Sequence, residues 1–493
     1  MNYRKPEEVG VSSANILKFI KTLEENHLAT HDVILSRGND IFFETYWKPF
    51  DKDFLHRMYS VTKSFVAIAI GFLEQDGMID LDDKIIKYFA KELEHQTDEN
   101  MRNQTIRHML MMSTAKGSQG SWFKAGIDDR VQFYFDNQRT DSRPSGMLFE
   151  YDSTGSFVLG ALVERVTGKS LIAYLREKLF DKIGVSEGAH FLKCPGGHSW
   201  GDSALLCTPM DLWLTARFML NKGKWNGEQI LNEKFAVEAT SNLIDTGLSG
   251  EYLQNTLGYG YLFWRTYRNS FFFNGMGSQY AVCVPDKDII MVYNADNQGL
   301  ANQTRLIFDK FFELIVEDAA DEALPEDKDA WDALAAYCKD LKLYTVPGAV
   351  HNEAIEKMVN GVTYRMAPNP MGITSMKFSF DGDKGLWEYV NEQGPKSLAF
   401  GLGYNEFGHF MQEGYSDEVG SKRTKGHFYK CAASAAWQET GALRMKLQII
   451  DKYFGVMNMS VSFREKELTL FMSKTAEDFL DEYQGFATGV MEA

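Results

Sequence analysis

Cysteine is scarce in this chain. Five residues (Cys194, Cys207, Cys283, Cys338 and Cys431) are scattered over 493 positions, with no C-x-x-C. That excludes a disulfide framework and a thiolate zinc site, and it fits the reduced thiols of a cytoplasmic protein. Basic charge is also short, 52 Lys and Arg against 68 Asp and Glu, for a formal net charge of -16. A chain of that sign repels phosphate backbones and anionic membranes, so neither is expected as a partner. No run of 18 apolar residues occurs, so no spanning helix is expected, and the N-terminus leads into no apolar segment of signal length.

Several catalytic signatures are missing as well. There is no Gly-x-Ser-x-Gly, so the strained strand-to-helix elbow of many hydrolases has no support. Gly168-Lys169-Ser170 suggests a P-loop, but Val163 stands where that loop needs its first glycine, and the cradle of amides cannot form. His27 and His31 are four apart, yet Leu28 occupies the place of a zinc protease's glutamate. A surface helix end is expected there, and neither a metal nor any other cofactor is called for.

What the chain does have is length and apolar content, 44% of residues with 13% aromatic, enough for two or three domains. Its organising stretch is His56 to Gly77. From Val61 to Phe72 the residues are almost all apolar or small, and Asp76-Gly77 supplies a helix stop. Ser60 precedes this helix and Lys63 lies one turn on, a spacing that puts both side chains on one face. A lysine partly removed from water can accept a hydroxyl proton and so activate a serine. Ser60 also suits an ordinary N-cap. The Ser-x-x-Lys string recurs at Ser113 with Lys116 and at Ser121 with Lys124, in a Gly-, Ser- and Gln-containing stretch that suits a surface loop. Only the first copy opens an apolar helix.

Along the chain, residues 11 to 26 form an amphipathic helix, and 32 to 46 form a β-hairpin around Arg37-Gly38-Asn39. Residues 79 to 112 read as mostly helical and 113 to 150 as loop-rich. Helices are expected over 156 to 166, 170 to 181, 208 to 220 and 306 to 316. Strands are expected between 258 and 294, starting with Gly258-Tyr-Gly-Tyr-Leu-Phe-Trp264. Strands at both ends with helices between them predict one α/β unit over 1–318. An acidic linker and short helix follow over 319–344, then short alternating strands over 345–493 that suit an antiparallel barrel or sandwich.

Acyl transfer also needs a second proton handler and donors for the oxyanion. Tyr151, in Tyr151-Asp152-Ser153, stands in a turn before a helix, where its hydroxyl could reach a cleft or merely anchor the turn. Gly275-Met276-Gly277 joins two strands, and its glycines allow close backbone approach or simply make a turn.

Ser60-Val-Thr-Lys63, Tyr151-Asp-Ser153 and the glycine-rich strand turn, in this order and spacing, resemble the serine β-lactamase and penicillin-binding-protein superfamily. The likeness covers roughly residues 5 to 318. It leans toward the class C β-lactamase, esterase and 6-aminohexanoate-dimer hydrolase branch through Thr105-Ile-Arg-His-Met-Leu-Met-Met-Ser113, Val166-Thr-Gly-Lys-Ser170 and Gly275-Met-Gly-Ser-Gln279. The resemblance implies an antiparallel sheet with flanking helices and a helical subdomain. It implies an acyl-enzyme on Ser60, proton transfer by Lys63 and Tyr151, and an oxyanion hole from the amides of Ser60 and Met276. Ser153, Phe273, Asn274, Gly275 and Gly277 would contact a small-molecule substrate.

The family's third motif, usually Lys-Thr-Gly or His-x-Gly, aligns with Phe273-Asn274-Gly275 and lacks its cation. A neutral ester or amide is therefore expected in place of a carboxylate-bearing β-lactam or terminal D-alanyl peptide. β-Lactamase, D-alanyl-D-alanine carboxypeptidase or D-aminopeptidase activity is the alternative, as is a catalytically weak ligand-binding relative. The C-terminal domain resembles the lipocalin-like appendage of related hydrolases.

Overall fold

The computed structural model describes residues 2–119, 127–247, 255–300, 302–416, 418–420, 423–475 and 483–492. They fall into two compact units, Met1–Lys342 with Asp417–Ser421, and Leu343–Ser416 with Lys422–Ala493.

Among the described residues, the first unit is built on a seven-stranded sheet. Its order is Asn2–Tyr3, Asp40–Tyr46, Thr30–Arg37, Ile289–Ala295, Gln279–Val284, Ser270–Gly275 and Trp264–Thr266. The N-terminal hairpin joins the later strands through antiparallel pairing of Thr30–Arg37 with Ile289–Ala295, where Leu35 faces Met291. The edge pair of Asn2–Tyr3 with Asp40–Tyr46 is parallel. Successive side chains of a strand point to opposite faces, and Ser270–Gly275 shows what each face meets. Phe272 packs on Phe308 of the helix Gln303–Phe311, with ring centroids 5.0 Å apart. Phe273 turns the other way, toward Phe65 of the helix Val61–Gln75.

That second helix is apolar all round because it is buried all round, from Val61 to Leu73. It ends where Gly77 takes φ 68°, with the Gly77 N–H on the Glu74 carbonyl and the Met78 N–H on that of Leu73. Other expectations need correction. Residues 79 to 112 hold only the short helices Ile85–Lys87, Glu99–Asn103 and Ile106–Leu110. Asp80 and Asp83 take backbone amides of their own turn, which competes with helix. Tyr261 and Leu262 form a turn in place of a strand, Leu262 having φ 60°. His31 does not end a surface helix; it is buried on a strand with its ring 3.6 Å from that of Phe50. Burial and the neighbouring His56 hold its pKa well below the ordinary value.

The acidic stretch after Val316 is largely exposed yet fastened to the first unit. The Ala320 and Leu324 amides bond to the carbonyls of Gly10 and Glu7, and Lys5 pairs with Glu326 at 2.5 Å. The helix Lys328–Cys338 packs on Ser13–Glu25, with Lys21 Nζ 5.3 Å from the Tyr337 ring centroid. The first unit therefore runs to Lys342 and absorbs the expected linker. Acidic composition here reports solvent exposure only.

In the second unit, nine described strands close a ring: Thr363–Met366, Ser375–Asp381, Lys384–Asn391, Gly394–Leu402, Arg423–Trp437, Leu443–Ile449, Val456–Arg464, Glu467–Thr475 and Gly485–Met491. Closure comes from a parallel pairing of Gly401 with Ser434 and Leu402 with Ala435, so the barrel is antiparallel except at its seam. A tenth strand, Glu406–Tyr415, pairs on the outside of that seam with Arg423–Trp437. Alternate residues fill the interior, Tyr364, Phe378, Trp387 and Trp437 among them.

Candidate active site

The chain reaches Ser60 through the strand His56–Arg57, paired with Leu205–Cys207. The Met58 N–H bonds to the Leu205 carbonyl at 2.8 Å, and the Leu205 N–H bonds to Thr62 Oγ1 at 3.1 Å, so both sides of the turn are fixed to one strand. Tyr59 has φ 45°, a conformation that costs a bulky residue roughly 1–3 kcal/mol. Its buried ring lies against the Arg57 guanidinium, 4.6 Å from the ring centroid. Ser60 thereby occupies the N-cap position, but its side chain makes no capping bond. Its Oγ instead accepts a hydrogen bond from Lys63 Nζ at 2.9 Å.

Lys63 is 1% exposed, and Nζ donates a second bond to the main-chain oxygen of Asp202 at 2.7 Å. No carboxylate oxygen lies within 4.0 Å of it among the described residues. The amine is thus buried and aimed at the serine hydroxyl. Lys116, in the second copy of the motif, is placed quite differently. It pairs with Asp98 at 3.1 Å and donates to the Asn137 carbonyl, while Ser113 Oγ donates to the His108 carbonyl. The expected surface loop is buried from Ser113 to Lys116, because these contacts satisfy its polar groups. The third copy, Ser121 with Lys124, lies outside the described residues.

Tyr151 completes the group. Its ring centroid is 5.2 Å from Lys63 Nζ, and its hydroxyl has no hydrogen-bond partner among the described residues, so it does not anchor the turn. Two neighbours hold it in place. Asp152 caps the helix Ser153–Thr167 through the Gly155 amide at 2.9 Å, and its carboxylate also accepts the hydroxyls of Thr114, Ser118 and Thr154. Trp264 stacks on the Tyr151 ring at 5.8 Å and is itself braced edge-on by Phe149 and Tyr259.

The glycine turn meets the nucleophile from the sheet. A Cβ on Gly275 would stand 2.3 Å from the Met58 carbonyl oxygen, so only glycine lets this strand approach the Met58–Ser60 turn so closely. Gly277 and Ser278 turn the chain at φ 81° and 78°. The Ser60 and Met276 amides have no acceptor among the described residues, as a pair of oxyanion donors requires.

The expected substrate contacts fare unequally. Met276 is 45% exposed, and Asn274 and Ser153 are half-buried, the Ser153 amide donating to Ser118 Oγ at 2.9 Å. Phe273 is a correction. It has no exposed surface and packs against Phe65 and Phe263, since its register turns it into the core beside the nucleophile helix. It fills the third-motif position with hydrocarbon and lines no surface. The two nearest arginines in sequence are engaged elsewhere, Arg265 by the Asn269 carbonyl at 2.7 Å and Arg268 by Asp286 at 2.6 Å.

Sequence reasoning missed Asp202, Trp264 and Arg57. Trp264 was hidden in an aromatic run that resembles any buried strand. Asp202 carries no signal of its own, because its contact with Lys63 spans 139 positions.

Comparison with known proteins gives the family and the fold. The family model described as Beta-lactamase matches residues 18–309, more than half of the chain. The 6-aminohexanoate-dimer hydrolase of Paenarthrobacter ureafaciens is 24% identical over 224 residues, 43% of this chain and 56% of that protein. Esterase EstB of Burkholderia gladioli is 27% identical over 192 residues, 34% of this chain and 49% of that protein. The chain spans about half the length of these curated relatives. Among solved structures, the octameric penicillin-binding protein homologue from Pyrococcus abyssi superposes with a TM-score of 0.51 at 14% identity, covering 96% of this chain and 99% of that one. At that identity the likeness concerns fold alone.

Proposed function

Because the chain belongs to the beta-lactamase family of hydrolases, we propose that it cleaves a small neutral ester or amide through an acyl-enzyme on Ser60. Lys63 takes the Ser60 proton as Oγ bonds to the acyl carbon. Tyr151 returns a proton to the departing alcohol or amine. Water then reverses the sequence and frees the acid. The amides of Ser60 and Met276 hold the tetrahedral oxyanion in both steps. The observation that carries this reading is the 2.9 Å bond from a buried Lys63 to Ser60, whose side chain makes no capping bond.

The neutral substrate follows from charge. A carboxylate-bearing substrate gains charge-assisted bonds from a cation on the third motif. Here that position holds buried phenylalanine, and Arg265 and Arg268 are occupied. The test is turnover of short-chain p-nitrophenyl esters, nitrocefin and D-amino-acid amides side by side. Ester hydrolysis should exceed nitrocefin hydrolysis at least about tenfold in kcat/KM, or about 1.4 kcal/mol. Preference for nitrocefin or a D-alanyl peptide would replace this reading with a β-lactamase or peptidase assignment.

A further inference from the structure

Asp202 is wholly buried, and neither of its carboxylate oxygens has a hydrogen-bond partner among the described residues. Native interiors seldom leave a carboxyl in that state, because the lost hydration is not repaid. Its surroundings are cationic. Lys63 Nζ bonds to its main-chain oxygen, and the guanidiniums of Arg57 and Arg130 lie 5.0 Å and 4.4 Å from the ring centroid of Trp200, two residues earlier. We propose that Asp202 is a positioning residue for Ser60 acylation: its main-chain oxygen aims the Lys63 amine at Ser60, and its carboxylate is the counter-charge for the ammonium that forms there.

The proposal rests on the reading of Ser60 and Lys63 given above. In acylation Oγ forms a bond to the acyl carbon as its proton passes to Nζ; when the bond from the acyl carbon to the leaving group breaks, that group takes a proton from Tyr151, which the proton on Nζ replaces. A positive charge therefore appears on a side chain that is 1% exposed. One fixed carboxylate in a dry pocket stabilises that charge in the transition state, with no solvent to reorganise. Among the described residues, the charged and titratable groups facing Asp202 include Lys63 on the nucleophile helix, Arg57 on the strand before it, Arg130 on the helix Arg130–Phe135, and the Cys194 thiol. Burial pushes the Asp202 carboxyl above its ordinary value, and Lys63, Arg130 and Arg57 pull it back toward the charged form.

The test is the rate of covalent labelling by a fluorophosphonate from pH 4 to pH 10, in the wild type, Asp202→Asn and Asp202→Ala, with circular dichroism to establish folding. The wild-type rate should rise with pH through an acid limb. In Asp202→Asn that limb should move down by about one pH unit, with a lower plateau. A purely structural role would lower the plateau and leave the limb in place. Asp202→Ala, which leaves no polar group to bury, should move the limb in the same direction. An unmoved limb in the folded variants overturns the assignment while leaving Ser60 as nucleophile. If neither variant folds, the wild-type profile decides: a flat rate over this range overturns the proposal. A wild type that takes no label at all overturns the Ser60 reading itself, and this one with it.

Discussion

Ser60 with Lys63 and Ser113 with Lys116 are the same four-residue string in two physical settings. Lys116 has a carboxylate partner in Asp98 at 3.1 Å, and its serine points at a carbonyl, so the pair holds a loop together. Lys63 has a hydroxyl and a main-chain oxygen for partners, and its serine makes no cap. The comparison teaches that what decides the role of such a lysine is where its charge is answered. Lys116 is bonded directly to a carboxylate, whereas Lys63 is bonded directly to the hydroxyl of its own serine.

Substitutions should pull the two pairs apart. The largest effect is expected from Lys63→Met, a loss of about 10²-fold to 10⁴-fold or more in turnover with the fold intact, read by ester hydrolysis beside thermal melting. Gly275→Ala should cost about 10²-fold to 10³-fold, because the added methyl displaces the strand turn from the nucleophile. Tyr151→Phe should cost at least about 10²-fold in kcat at little change in melting, since its hydroxyl supports nothing else among the described residues. Lys116→Met should do the reverse. Turnover per folded molecule should hold, while stability falls by about 2 kcal/mol, between the worth of an exposed pair and a fully buried one.

The smallest effect concerns acid. Burial raises the Asp98 carboxyl, but bonds from Ser142, Lys116 and the Asn100 amide outweigh it and leave its pKa below the ordinary value. A depressed folded pKa contributes stability above the unfolded value of about 4, which is lost as pH falls through the folded one. The stability gap between wild type and Lys116→Met should therefore narrow below that pH in urea titrations. A gap that stays constant down to pH 2 would mean the pair contributes nothing through charge.

The two units were legible to different degrees, for physical reasons. The nucleophile helix could be read because burial on every side demands an unbroken apolar run, and because Ser60 and Lys63 meet within one turn. The hairpin and the strands from Ser270 to Ala295 were equally plain. The barrel was harder. The fifteen-residue strand Arg423–Trp437 went unread, since its second half, Cys-Ala-Ala-Ser-Ala-Ala-Trp, is buried at every position. It pairs there with Gly394–Leu402, Glu406–Tyr415 and Leu443–Ile449, and such crowding selects small side chains in place of alternation. Phe273 was assigned to the cleft from motif position alone, and register sent it into the core. Asp202 and Trp264 act through contacts across long stretches of chain, which a single sequence does not encode locally.

The most direct measurement is peptide mapping of the full chain after fluorophosphonate labelling. The adduct mass should fall on the peptide that carries Ser60, vanish in Ser60→Ala, and persist in Ser113→Ala and Ser121→Ala. Undiminished labelling of Ser60→Ala would contradict the assignment of the nucleophile.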